Sequence, residues 1–138
     1  MENFERGQYV YVKIKDKSEI AQIKAIYNNI AEVELIDKKI LYFINFNDLK
    51  HLQLTDEVLK VFGFNPSKSP YTYERDNVLV ELQGLNLDID EKVYVARIFY
   101  RRPEPNSKFG PDYMSYLYEL QKFYYEHNAK ELDLVEVE

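Results

Sequence analysis

From Gln8 to Leu49 apolar residues recur at every second position, the period of a strand with one buried face. Val10, Val12 and Ile14 alternate with Tyr9, Tyr11 and Lys13, and the charged turn KDKSE follows. Ile20, Gln22, Lys24 and Ile26 then oppose Ala21, Ile23 and Ala25, and Asn28 and Asn29 supply a turn that tolerates positive φ. Ala31, Val33 and Leu35 predict a third strand, DKK at 37–39 a third turn, and Ile40 to Phe46 a fourth strand. Strands this short, joined by tight turns, predict a small curled antiparallel sheet, because a flat one would leave its second apolar face wet.

The pattern then changes. In LTDEVLKVFGF, Thr55 is placed to cap a helix, Asp56 and Glu57 sit where the helix dipole favours anions, and Gly63 is placed to end it in a left-handed conformation with Phe64 folded back. NPSKSP breaks the chain. Beyond it, Tyr71 to Leu82 and Val93 to Arg101 read as two strands joined by QGLNLDIDE, and RRPEPNSKFGPD reads as a long loop. At 100° per residue, Tyr113 to Asn128 gathers Ser115, Glu119, Lys122, Glu126 and Asn128 on one polar face. Tyr113, Leu117, Leu120 and Tyr124 centre the opposite face, flanked by Tyr116 and Phe123 on one side and by Met114, Tyr118 and Tyr125 on the other. This predicts a helix with an apolar arc of about 220°, wider than one contact surface covers. Either two elements flank it or one edge, Met114, Tyr118, Gln121 and Tyr125, is exposed to a partner. ELDLVEVE alternates again and predicts an edge strand over 134–137.

The expected fold is therefore α+β. Residues 1–52 form a four- to five-stranded, barrel-like antiparallel sheet and 53–65 a linking helix. Residues 66–138 form an antiparallel strand pair packed on one C-terminal helix, with the possible edge strand last. The stretches GQYVYVKI, AQIKAIYNNIAEVELI and NDLKHL, within residues 6–52, resemble Src-homology-3-like and Tudor-like small barrels. Such barrels host many unrelated functions, so the resemblance implies a fold and no activity. A second resemblance covers most of the chain. Leu54, Thr55, Glu57, Leu59, Gly63 and Phe64 match the L-T-x-E-x-L-x-x-x-G-F motif of a group of small uncharacterised phage, prophage and mobile-element proteins. Leu120, Gln121, Tyr124, Glu131, Leu132 and Leu134 match that group's C-terminal L-Q-x-x-Y helix and its ELxL ending. Many relatives carry a histidine ahead of the Leu-Gln pair where this chain has Tyr118 and Glu119, so no histidine-dependent role carries over. The resemblance implies a mobile-element context and no chemistry.

Composition narrows the chemistry. The chain has 138 residues and no cysteine, which excludes a disulfide framework, a thiol nucleophile and cysteine-ligated zinc. Net charge is -6 with no basic tail, so long-range attraction to nucleic-acid phosphates is not expected. The opening MENFERGQYV has no apolar run with a basic flank, and no window reaches the roughly 20 apolar residues of a bilayer crossing. A protein of the host cytoplasm, or one associated with a virion, is expected. His51 and His127 lack the neighbouring pattern of a metal or nucleophile-base site, and NLDIDE lacks the glycine and the chelating glutamate of a calcium loop. No glycine-rich phosphate loop and no G-x-S-x-G element is present. No cofactor, metal or catalytic residue is expected.

Arg97, Arg101, Arg102 and Lys108, interleaved with Tyr94, Phe99 and Tyr100, form one basic and aromatic cluster. The preferred expectation is a non-enzymatic module that binds a host or phage protein, by inhibiting a host defence enzyme or in a minor virion or assembly role. Its contacts would come from Met114, Tyr118, Gln121 and Tyr125 and from the arginine cluster. The alternative is a nucleic-acid accessory factor in which the arginines track phosphates and the rings stack bases.

Overall fold

The computed structural model describes residues 4–69, 71–86, 93–101 and 108–134. Among the described residues, two antiparallel five-stranded sheets and two α-helices make an α+β fold. It divides into two compact units, Met1–Leu52 and Gln53–Glu138. No helix of the described residues is long and apolar enough to cross a membrane.

In the first unit, strands β1 (Tyr9–Ile14), β2 (Lys17–Tyr27), β3 (Ile30–Leu35) and β4 (Leu41–Asn45) run as a meander. A 3-10 turn, Phe46–Asp48, leads into β5 (Leu49–His51), which returns to pair with β1. The order is β4-β3-β2-β1-β5, an open sheet with β4 and β5 at its edges. Alternation buries Val10, Val12, Ala21, Ile23, Ala31, Val33, Leu35 and Leu49, and Phe4 closes this core. Lys15 and Asp16 both take positive φ, 48° and 67°, and form the two-residue turn whose twist matches the flanking strands, so β2 begins at Lys17 inside the expected turn. A bulge between Ile23 and Ala25 bends β2.

The second unit opens with helix α1 (Asp56–Val61). Thr55 Oγ1 accepts from the Val58 amide at 3.2 Å. Gly63 at φ 79° ends the helix, its amide donating to Lys60 O at 3.1 Å while the Phe64 amide donates to Leu59 O at 2.9 Å. Strands β6 (Asn65–Pro66), β7 (Thr72–Arg75), β8 (Val78–Asn86), β9 (Val93–Arg101) and β10 (Lys108–Met114) build a sheet of order β10-β9-β8-β7-β6, and helix α2 (Leu117–Asn128) follows.

Two expectations are corrected here. The single strand over Tyr71 to Leu82 is a hairpin, turning at Asp76 and Asn77 with φ of 49° and 69°. Asp and Asn enter the left-handed region more readily than other non-glycine residues, and both positions of this turn require it. Of the expected long loop, Arg101 ends β9 and residues 102–107 lie outside the described residues, while Lys108 to Asp112, together with the start of the expected helix, form β10, which pairs with β9 through a bulge between Phe109 and Asp112. That bulge accommodates Gly110 and Pro111, since a proline that donates no ladder bond is tolerated at an edge. The strand pair is thus a five-stranded sheet. Of the expected final edge strand only Leu134 lies within the described residues, and it is not in a strand.

Helix α2 begins at Leu117 because the residues before it are held extended. Tyr113 pairs with Arg97, Met114 with Ala96 and Tyr116 with Gln53, and the Leu54 amide donates to Ser115 O at 2.9 Å. Glu119 Oε1 then accepts from the Ser115 and Tyr116 amides, both at 3.2 Å. Ala129, at φ 56°, closes the C-terminus of the helix. Leu117, Leu120, Phe123 and Tyr124 are buried, with Val78, Val80, Ala96 and Ile98 of the sheet. Tyr113, expected at the centre of the helix's apolar face, is a strand residue and 63% exposed.

Polar contacts fasten the helices to the β7–β8 hairpin. Arg75 Nη1 donates to Phe62 O at 2.7 Å and Asp133 O at 2.6 Å, and its guanidinium lies 5.6 Å from the Tyr124 ring centroid. Asp76 accepts from the Tyr124 hydroxyl and pairs with Lys130 at 3.2 Å. Asp56 accepts from the Tyr73 hydroxyl. The hydrogen bond from Tyr73 holds the Asp56 carboxyl below its ordinary 3.8, and that from Tyr124 does the same for Asp76. The Tyr73 phenol, facing Asp56, is pushed up to about 12.

Depressed carboxyls stabilise the fold fully above their ordinary value and lose that contribution as pH falls through the lowered folded values. The raised Tyr73 phenol contributes below 10.0 and loses its contribution as pH climbs through about 12. Urea midpoints measured against pH will therefore be flat near neutrality and fall at both extremes, and Tyr73→Phe will reduce both the acid and the alkaline fall. At the hairpin, Asn77→Val will cost about 1–2 kcal/mol in urea unfolding and Asn77→Gly about 0.5 kcal/mol or less.

Candidate binding face of the second sheet

Alternation along β7 to β10 separates two faces. Val78, Val80, Ala96 and Ile98 are buried on one, and Tyr100 on that side stacks on His127 of α2 at 4.7 Å. The other face carries Thr72, Glu74, Leu79, Glu81, Arg97, Phe99, Arg101 and Tyr113, with Glu81 opposite Arg97, Leu79 opposite Phe99 and Arg97 opposite Tyr113. Here lies a cleft of about 360 Å³, with Arg97, Phe99, Arg101 and Glu81 on its walls. Ser67, Ser69 and Thr72 add hydroxyls from β7 and the segment before it.

The charges on this face are matched. Arg97 Nη2 lies 2.9 Å from Glu81 Oε1, a contact that further favours its charged form, and its guanidinium is 5.6 Å from the Phe99 ring centroid. Arg101 lies 3.6 Å from Glu74 and is half exposed. Cross-strand ion pairs of this kind add little stability. They hold the guanidinium planes in place and keep the face near neutral, so a polyanion would compete with two glutamates already beside the arginines. A polypeptide meets donors, acceptors and an aromatic surface at once.

The expected site residues divide into four groups. Arg97 and Arg101 reach this cleft, and Lys108 begins β10 opposite Arg101. Arg102 lies outside the described residues. Tyr118, Gln121 and Tyr125 sit on α2, where Tyr118 stacks on Tyr116 at 5.9 Å and Tyr125 is 56% exposed. The helix packs on the opposite sheet face, so these three do not join the arginines in one surface. Met114 is the correction: on β10, paired with Ala96 and 8% exposed, it belongs to the core. A wheel drawn through it places it wrongly because the residue is not helical.

Leu79, Tyr113 and the hydroxyls of Ser67, Ser69 and Thr72 were missed as site residues. Their convergence needs the hairpin and β10, neither of which local periodicity shows. Both imidazoles stack on aromatic rings, His51 on Phe4 at 4.5 Å and His127 on Tyr100. Among the described residues no group of three or more His, Asp or Glu could hold a metal ion. Comparison with protein families, with curated proteins and with solved structures finds no match to this chain.

Met114→Ala will cost about 2–3 kcal/mol in urea unfolding, as a buried truncation does, whereas Tyr125→Ala will change stability by about 0.5 kcal/mol or less.

Proposed function

We propose that this chain is a non-enzymatic protein-binding module whose second unit engages a polypeptide across the outer face of its sheet. The observation that carries this reading is the cleft beside Arg97, Phe99 and Arg101, with each arginine held by a glutamate of the same face. Arginine and aromatic residues dominate binding energy where a rigid framework presents them, because little side-chain entropy remains to be lost. Tyr113, exposed and opposite Arg97, extends the face with a phenol that can bury its ring and keep its hydroxyl bonded. The resemblance to phage and mobile-element proteins favours a host or phage protein as the partner, a defence enzyme or a virion component among them.

Capture from host lysate on the immobilised chain tests this. The expected result is one stoichiometric protein whose affinity falls roughly thirty-fold, about 2 kcal/mol, on Arg101→Ala or Tyr113→Ala, with urea unfolding unchanged. Tyr125→Ala, on the other side of the unit, leaves capture intact. Single-stranded oligonucleotide binding with a steep salt dependence, lost on Arg101→Ala, would instead assign the face to nucleic acid.

A further inference from the structure

One row of polar side chains crosses the outer face of the second sheet. Thr72 of β7 faces Glu81 of β8, Glu81 faces Arg97 of β9, and Arg97 faces Tyr113 of β10. Ser67, whose amide donates to Thr72 O at 2.8 Å, extends the row at its far end. Leu79 and Phe99 form the next row, and Arg101 stands beyond Phe99 on β9. The Arg97 guanidinium lies 5.6 Å from the Phe99 ring centroid and so leans toward the ring that separates it from Arg101.

Hydrogen-bond donors exceed acceptors in the cleft. Glu81 takes one nitrogen of Arg97, Nη2, at 2.9 Å. A guanidinium offers a carboxylate two parallel donors, and here the fork is half used. Among the described residues Arg97 Nε is covered from water and has no hydrogen-bond partner, a costly state for a charged donor. Arg101 meets Glu74 at 3.6 Å, where the charges attract but no hydrogen bond forms. The cleft walls carry two guanidinium groups, one carboxylate and the hydroxyls of Ser67, Ser69 and Thr72, and Glu74 is not among them. They therefore bear one uncompensated positive charge beside an apolar floor of Leu79 and Phe99.

We propose that the cleft is a subsite for a single carboxylate carried next to an apolar side chain, an inference that rests on the polypeptide-binding reading of this face. The carboxylate enters between Arg97 and Arg101. Arg97, its side chain 36% exposed, has room to turn Nε toward the incoming oxygens, and Arg101 exchanges its loose contact with Glu74 for a direct bond. The neighbouring apolar group covers Phe99 and Leu79. Charge sets the specificity. One carboxylate neutralises the excess on the walls, whereas a phosphorylated residue brings roughly two negative charges against Glu81 and Glu74. A neutral amide accepts more weakly from a guanidinium than a carboxylate does. The volume, about 360 Å³, lies at the lower end for ligand pockets and suits a side chain or a chain end, not a folded element.

Nuclear magnetic resonance of the full chain tests this through the arginine Nε–H signals. The probes are acetyl-Ala-Phe-Glu-Ala-Ala-amide, its glutamine and phosphoserine counterparts, and acetyl-Ala-Phe as free acid and as amide. The glutamate peptide, the free acid or both will bind in the roughly millimolar range and shift Arg97 and Arg101 first. Binding by the peptide alone assigns a side-chain carboxylate, and by the free acid alone a chain terminus. The glutamine peptide and the amide will bind about ten-fold more weakly or worse, and Arg101→Gln will lose binding by a similar factor. Glu74→Gln, which removes the competing carboxylate, will tighten binding about two- to five-fold. Equal binding of the uncharged probes, tighter binding of the phosphoserine peptide, shifts spread evenly over every arginine, a Glu74→Gln chain that binds no tighter, or no shift at about 20 mM probe overturns the proposal. If the carboxylate probes fail while Arg101-dependent capture of a protein persists, only the carboxylate is wrong and the polypeptide-binding face stands. If capture fails too, both fall.

Discussion

The second unit depends on a turn of two residues. Asp76 and Asn77 hold left-handed conformations that reverse β7 into β8, and that reversal places Arg75 and Asp76 against the C-terminal part of α2. Arg75 spans Phe62 O, Asp133 O and the Tyr124 ring, and Asp76 takes the Tyr124 hydroxyl. Tyr124 is fully buried, so its hydroxyl must be satisfied within the protein, and the turn provides the Asp76 carboxylate. Without the turn, the largest buried ring of the helix would strand a polar group and Arg75 would lose its carbonyls.

The same hairpin decides which residues reach the outer face. Reversal at Asp76 brings Thr72 opposite Glu81 and Glu74 opposite Leu79, and β9 then sets Arg97 beside Glu81 and Phe99 beside Leu79. Docking of α2 on one side of the sheet thus leaves Arg97, Phe99 and Arg101 on the other. Arg97 is paired with Glu81 of the adjacent strand β8 and Arg101 with Glu74 of β7, two strands away, a means of ordering long side chains that adds little to stability and much to shape.

The first unit follows a simpler logic. Its core takes alternate residues from all five strands, which leaves the other set to solvent or to a partner. Along β1 the alternate positions include Tyr11 and Lys13, residues that tolerate water. Along β4 they are Leu41, Phe43 and Asn45. Exposed apolar side chains gather toward one side of this sheet, where Ile26 and Tyr27 of β2 and Ile30 of β3 join Leu41 and Phe43 of β4.

Much of this was legible in the residues. The period of two gave β1 to β4 to within a few residues, Val93–Arg101 emerged with its bounds intact, and Thr55 with Gly63 and Phe64 gave both ends of α1. These features are local: a cap, a left-handed glycine or an alternating pattern is specified by residues a few positions apart. The arginine pair in the cleft was visible as a cluster, but not its glutamate partners. Tyr113 marks where local information ends. Tyr113 and Met114 fit a helical wheel, yet they form a strand because Arg97 and Ala96 lie beside them with unfilled backbone bonds. Helix and strand preferences of single residues differ by a fraction of a kcal/mol, about the size of one backbone hydrogen bond or less. The sequence by itself therefore determined the strands and caps whose partners are neighbours in the chain. Only tertiary structure decided β10, the start of α2 and the grouping of Arg97, Phe99 and Tyr113, because the bonds that outweigh local preference come from residues distant in sequence.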